Sequence, residues 1–336
     1  MIHLYERFPR LREIPRAQLC DTPSPVEEFT GIPGAAELWV KRDDLNAPLF
    51  GGNKARTLEF LLGKVAPGDT VLTLGGAGST HVLATALHAR RLGANTIAVR
   101  WRHDMNTIAD AVSERIGDEL GSRRISRMAV SALVHSGYLR LTQDVHFIPI
   151  GGATPLGALG HVNAGLEIAA QIRAGDLPLP RRIVLPLGSG GTAAGLALGL
   201  ACAGLDIRVI GARVAPRVFS NRARVFRLAR DTARLIAGIT GEKPPRIRSE
   251  NFEIAHQMYG GAYGRPIAAG TLAASRLASS SSILLDATYS AKAFAVALEY
   301  ACALDGPTLF WLTFDSRWLT SSRSTSTQAT ATAPAT

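Results

Sequence analysis

Residues 182–192 read Arg182-Ile183-Val184-Leu185-Pro186-Leu187-Gly188-Ser189-Gly190-Gly191-Thr192, a short apolar run that breaks into a glycine-rich turn. Such a run suits a strand buried on both faces, as in a parallel sheet. The alanine- and leucine-rich stretch that follows predicts a helix. The turn therefore gathers several backbone N–H groups at the positive end of that helix, where an anion is stabilised. Phosphate is the natural occupant. The loop lacks the Lys-Ser/Thr pair of a Walker turn, and no acidic residue stands where a dinucleotide-binding fingerprint would need one.

The same strand–glycine–helix pattern occurs about a hundred residues earlier. Thr70–Leu74 predicts a strand, Gly75-Gly76-Ala77-Gly78-Ser79-Thr80-His81 a second turn, and about Thr80 to Leu92 a helix. Further strands are expected at Asn95–Arg100, Ile207–Ala212, Ile283–Leu285 and Thr308–Leu312, with helices over Ser220–Ala237 and Ala291–Ala303. Strands alternating with helices imply an α/β protein with mainly parallel sheets and right-handed crossovers. Two such glycine turns suggest two α/β units facing one cleft, with ligands at the strand ends. Ser79 and Thr80 either cap the second helix or, with His81, form a carboxylate site from hydroxyls and N–H groups.

A chain of 336 residues accommodates both units. Apolar residues make up 46% and charged residues 19%, which argues against general disorder. No apolar run is long enough for a membrane helix, and the charged stretch Met1–Arg12 does not resemble an export signal, so a cytoplasmic enzyme is expected. Cys20, Cys202 and Cys302 stand far apart, which weighs against a disulfide framework or a zinc module; no metal site is expected. The net charge of +10 comes with scattered arginines and no nucleic-acid-binding motif, so neither nucleic acid nor membrane is expected as a partner. Residues 316–336, rich in Ser, Thr and Ala, predict a disordered tail.

Only five of the 37 basic residues are lysines, which makes Lys54 conspicuous. It stands in Gly51-Gly52-Asn53-Lys54-Ala55-Arg56, after the polar strand end Lys41-Arg42-Asp43-Asp44. A lysine that bonds an aldehyde must sit partly desolvated, with its neutral amine accessible. Glycines beside it let a bulky cofactor approach the backbone.

Lysine turn, serine loop and phosphate loop, in this order, resemble the pyridoxal-phosphate enzymes of the tryptophan-synthase β-subunit fold (fold type II). The likeness is closer to the D-cysteine desulfhydrase and 1-aminocyclopropane-1-carboxylate deaminase group. It runs from about Leu19 to Thr313 and includes Thr22–Val26, Lys41–Asp44, Ile150-Gly151-Gly152-Ala153-Thr154-Pro155-Leu156-Gly157, Ala262-Tyr263-Gly264-Arg265-Pro266 and Leu285–Lys292. The run from Ala109 to Leu141 matches poorly.

The resemblance implies two three-layer α/β/α subdomains: a large cofactor domain of residues 1–45 plus 163–314, a small domain of residues 46–162, and a tail from 315. It implies pyridoxal 5′-phosphate covalently held by Lys54, with Asn53 beside the ring and Gly188, Ser189, Gly190, Gly191 and Thr192 on the phosphate. Ser79, Thr80 and His81 would hold a substrate carboxylate, while Tyr263 and Tyr289 would face a small amino-acid substrate. Lys54, Ser79, Tyr263 and Tyr289 are the catalytic candidates. Ser290, and Thr313 near the pyridine nitrogen, favour a D-cysteine desulfhydrase-like elimination; the alternatives are deamination of the cyclopropane acid and a non-catalytic binding protein. Thr80 replaces a usual asparagine and Gly78 a usual glutamine. Phe314 and Asp315 replace two glycines beside the ring, which predicts a crowded cleft. A homodimer is expected by the same analogy.

Overall fold

The computed structural model describes residues 2–122 and 125–319. In chain order its main elements are α1 (His3–Arg7), β1 (Val26–Glu28), β2 (Leu38–Arg42), α2 (Asn53–Leu61), β3 (Thr70–Gly76), α3 (Thr80–Arg91), β4 (Asn95–Trp101), α4 (Thr107–Leu120), α5 (Ala129–Thr142) and β5 (His146–Ile148). There follow α6 (Pro155–Ala174), β6 (Arg182–Leu187), α7 (Gly191–Cys202), β7 (Arg208–Arg213), α8 (Arg222–Thr240), β8 (Phe252–Ala255), α9 (Ala268–Ala278), α10 (Ser290–Cys302) and β9 (Thr308–Leu312).

Side-chain alternation along the strands divides the core. In β6, Ile183, Leu185 and Leu187 join one cluster with α7 and α8, while Val184 joins another with α9 and α10. β9 does the same, with Leu309 and Trp311 on one face and Phe310 and Leu312 on the other. Both faces of the sheet are thus roofed by helices, the three-layer arrangement that central parallel strands require. The sheet order is β1-β2-β9-β6-β7-β8, parallel except for β1 against β2. A second, wholly parallel sheet, β4-β3-β5, places Val71 toward α3 and α4 and Leu72 and Leu74 toward α5. Two α/β/α layered units are present, as expected.

The structure departs from the expected elements at three places. Ile283–Leu285 forms no strand: Leu285 packs into the core under α10, and the segment joins no sheet. The edge position goes to β8, whose single turn of alternation (Phe252 in, Glu253 out) is too short to stand out in sequence. The expected tail begins later than 315. Asp315 is buried and accepts the Gly51 N–H, and Trp318 packs against Phe50. The remainder of that tail, residues 320–336, lies outside the described residues. The division expected at 162/163 falls inside the continuous helix α6, which packs on α2 and α7 and so adjoins both units.

Beneath α2 lies a buried ionic cluster. Arg56 donates to both oxygens of Asp43 (3.0 Å each from Nε) and, through Nη1, to Glu167 Oε2 at 2.9 Å. Lys41 Nζ donates to Glu167 Oε1 at 2.6 Å, and Trp311 Nε1 to Asp43 Oδ2 at 2.7 Å. Burial alone would raise the Glu167 carboxyl. The Arg56 and Lys41 cations outweigh it and hold it well below the carboxylate range. Two cations and two anions, all within a few per cent of full burial, tie β2, β9, α2 and α6 together. Replacing one member leaves an uncompensated buried charge, so Glu167→Gln is expected to cost about 3–5 kcal/mol of unfolding free energy, measured by urea denaturation. A loss below ~1 kcal/mol would contradict this account.

Candidate active site

The C-terminal ends of β3, β4 and β6 and the residues following β9 open onto one cavity of about 590 Å³, which both glycine turns line. This is where ligands of parallel α/β sheets bind.

Lys54 is the second residue of α2, and its approach is set by two glycines. A Cβ at Gly51 would meet the Asp44 carbonyl oxygen at 2.2 Å, and one at Gly52 (φ +108°) the Thr313 carbonyl oxygen at 2.3 Å. The chain can start α2 here only without side chains. Nζ of Lys54 lies 3.4 Å from the Gly151 carbonyl oxygen, and no carboxylate pairs with it among the described residues. Burial lowers its pKa to about 8. An amine in this environment is available in its neutral form close to physiological pH.

The phosphate loop faces the same space. Gly190 (φ +91°) precedes Gly191, the first residue of α7, and all of Gly188–Thr192 line the cavity. Gly151 (φ +66°) lies between loop and lysine: a Cβ there would meet Ser189 Oγ at 2.4 Å and come within 3.7 Å of Lys54 Nζ. The two features required of one cofactor thus share one wall. Asn53 Nδ2 donates to Thr192 Oγ1 at 2.8 Å, so the residue before the lysine is pinned to the last residue of the loop.

Ser79 precedes α3 and its side chain makes no capping bond, so the capping alternative does not hold for it. Its neighbours Thr80 and His81 also line the cavity. Burial, with the Lys54 charge adding to it, lowers His81 to about 3, and its Nε2 lies 3.2 Å from Thr73 Oγ1. His81 is a neutral polar neighbour rather than a cation. The glycine at position 78 has a local cause: a Cβ there would lie 2.5 Å from the Ala109 carbonyl oxygen, so α4 packs directly over it.

Tyr263 and Tyr289 are hydrogen-bonded to each other through their hydroxyls, with ring centroids 5.9 Å apart. Burial raises Tyr263 to about 12 and Tyr289 well above the usual phenol range. Both therefore keep their protons. His103 packs edge-on to Tyr263 at 4.8 Å. Thr313 lines the cavity, whereas Ser290 is wholly buried at the head of α10, with its N–H on Asp286 Oδ2, and is not part of the wall.

Of the two residues expected to crowd the cleft, Phe314 lines it and Asp315 does not. Phe314 bridges to Gly52, contributes one edge of the wall and is otherwise buried in the core around α3; Asp315 turns to the Gly51 N–H and to Arg317 Nη2 at 2.7 Å. Both brace the base of the lysine turn. The sequence reading missed His161, which lies deep in α6 with Nε2 at 3.0 Å from Thr57 Oγ1 and 3.3 Å from Thr192 Oγ1. Burial, helped by Arg56 and Lys54, holds it well below the usual histidine range. No local motif marks it, because its partners come from α2 and α7. Arg224 was also missed; its Nε donates to the Ser189 carbonyl at 3.2 Å on the cavity wall.

A family model described as pyridoxal-phosphate dependent enzyme matches residues 18–313. The chain belongs to that family. It is 37% identical to the nocardicin C-9′ epimerase of Nocardia uniformis over 90% of this chain and 94% of that protein. It is 32% identical to a putative 1-aminocyclopropane-1-carboxylate deaminase of Pyrococcus horikoshii, over 85% of this chain and 87% of that protein. The D-cysteine desulfhydrase of Salmonella paratyphi A is 31% identical, covering 92% and 94%. A crystal structure of an ACC deaminase homologue superposes with a TM-score of 0.75 at 27% identity, over 96% of this chain and 99% of that one. This pyridoxal-phosphate enzyme therefore has the fold-type-II architecture that its sequence suggests.

The residues present fit the cofactor: a lysine amine that no carboxylate pairs among the described residues on one side of Gly151, and a helix N-terminus with a serine loop on the other, both lining one cavity. Attachment needs the neutral amine. The rate at which the apoprotein takes up pyridoxal phosphate is therefore expected to rise with pH through the region of 8 and level off above it, followed by visible absorbance. Lys54→Ala is expected to show no lysine-bound visible band at any pH. A rate independent of pH across this range would refute the assignment of Lys54 as the attachment group.

Proposed function

We propose that this enzyme withdraws the α-proton of a free amino acid, and that with D-cysteine it completes a β-elimination to pyruvate, ammonia and sulfide. The supporting observation is the Lys54 amine, which has a lowered pKa, lacks a carboxylate partner among the described residues, and shares one cavity with the phosphate loop, the Ser79–His81 turn and the tyrosine pair. Pyridoxal phosphate supplies, when bound, the electron sink that makes a Cα–H bond acidic.

The protein's own contribution is position and proton management. Gly188–Thr192 anchor the phosphate end through loop N–H groups and the α7 N-terminus, which fixes the ring relative to Lys54. Ser79, Thr80 and the α3 N-terminus receive the substrate carboxylate. His81 stays neutral, so it holds that end by hydrogen bonding and adds no charge. The Lys54 amine, in its neutral form, is the base for the α-proton. In the elimination the Cα–H electron pair becomes the Cα–Cβ double bond while the Cβ–S pair leaves as thiolate. The protonated Tyr263–Tyr289 pair gives a proton to the departing or reprotonating atom in this reading, which their raised pKa values support. Water then hydrolyses the enamine to pyruvate and ammonia.

Thr313 at the cavity wall would offer a bound ring nitrogen a hydroxyl and no carboxylic acid, which would favour elimination over extended charge delocalisation. A second reading, epimerisation at Cα, has its own support in the 37% identity to an epimerase and in a tyrosine pair able to return the proton. The test is product analysis with purified holoenzyme. D-cysteine is expected to yield pyruvate and sulfide in equal amounts, the cyclopropane acid to yield no 2-oxobutyrate, and Lys54→Ala to lose at least ~10³-fold in rate. Amino acids without a β-leaving group are expected to exchange the α-proton in deuterated water; retention of that proton in every amino acid tried would rule out both readings.

A further inference from the structure

We propose that the cavity contains, beyond its cofactor and α-amino-acid end, a slot for an aromatic substrate side chain, formed by α5 against Trp101 and Phe147. The proposal rests on the reading above, in which the deep end takes the substrate's amino and carboxylate groups. Leu133, Gly137 and Arg140 line the cavity from α5, and their spacing of four and three residues places them on one face of that helix. Nothing in the proton chemistry uses them.

Gly137 is the informative position. A Cβ built there meets no atom within 4 Å, so the helix leaves open space on a side that belongs to the cavity wall. Opposite surfaces come from Trp101 at the end of β4 and Phe147 in β5. The Arg140 guanidinium lies 4.1 Å from the Phe147 ring centroid, and no carboxylate pairs with it among the described residues. Two aromatic rings, an aliphatic side chain and a planar cation make a flat, largely apolar recess. An aryl group gains ring and cation contacts there; a thiol or methyl group cannot fill it. The slot therefore selects for amino acids with an aromatic group on Cβ.

The test uses the holoenzyme with phenylalanine and alanine, each as both enantiomers, with affinity measured by isothermal titration calorimetry. The native enzyme is expected to bind one enantiomer of phenylalanine roughly tenfold or more tighter than the matching alanine. Gly137→Leu fills the space without a clash at Cβ and replaces glycine by a good helix former, so the variant is expected to fold. It should weaken phenylalanine by roughly ten- to a hundredfold and leave alanine unchanged. Trp101→Ala should also weaken phenylalanine selectively. Phenylalanine binding that is no tighter than alanine, or that survives Gly137→Leu, would overturn the slot alone. Failure of both amino acids to bind the native holoenzyme would overturn the underlying functional reading as well.

Discussion

Four charges that water never reaches, those of Lys41, Asp43, Arg56 and Glu167, hold this active site in register. Their value lies in specificity of placement more than in net stability, since burying ions costs most of what their attraction returns. Asp43 directly follows β2, Arg56 is two residues beyond Lys54, and Glu167 belongs to α6. The planar Arg56 fork has few acceptable geometries with two carboxylates at once, so it fixes the rotation of α2 about its axis. That rotation decides where the Lys54 amine points.

A neutral pair of ion pairs next door has a second consequence. It occupies Asp43 and Glu167, and among the described residues no carboxylate pairs with the Lys54 amine. Desolvation then acts on it unopposed, in contrast to Lys41, which is more deeply buried but bonded to Glu167. Burial likewise keeps His81 and His161 uncharged and Tyr263 and Tyr289 protonated. Each shift favours the neutral form, as expected of a site that excludes water and awaits an anionic cofactor and a zwitterionic substrate.

Much of this was visible along the chain. The glycine turns after Thr70–Leu74 and Arg182–Leu187 marked strand ends, because a continuous apolar run stopping at glycine has few other folded uses. Lys54 stood out because lysine is rare here. Other features were silent for physical reasons. His161 and Arg224 act on the phosphate loop from α6 and α8, at distances along the chain over which no periodicity carries. Phe314 and Asp315 were expected to crowd the cleft because their neighbours in sequence lie beside it; a bridge from Phe314 to Gly52 and the Gly51 N–H on Asp315 draw them toward the base of α2, and only Phe314 keeps an edge on the cavity. Ile283–Leu285 has strand composition but meets no ladder partner, and the sheet edge is completed by the less apolar β8.

The sequence alone indicated the alternation of strands and helices and the family, and it singled out Lys54 as the candidate for attachment, since these depend on local pattern and on residue types in a fixed order. Tertiary structure decided which groups are neutral, which glycines are compelled by close backbone approach, and how far the cavity extends under α5. Those properties depend on desolvation and on contacts between segments a hundred or more residues apart, and neither quantity is encoded in any one stretch of chain.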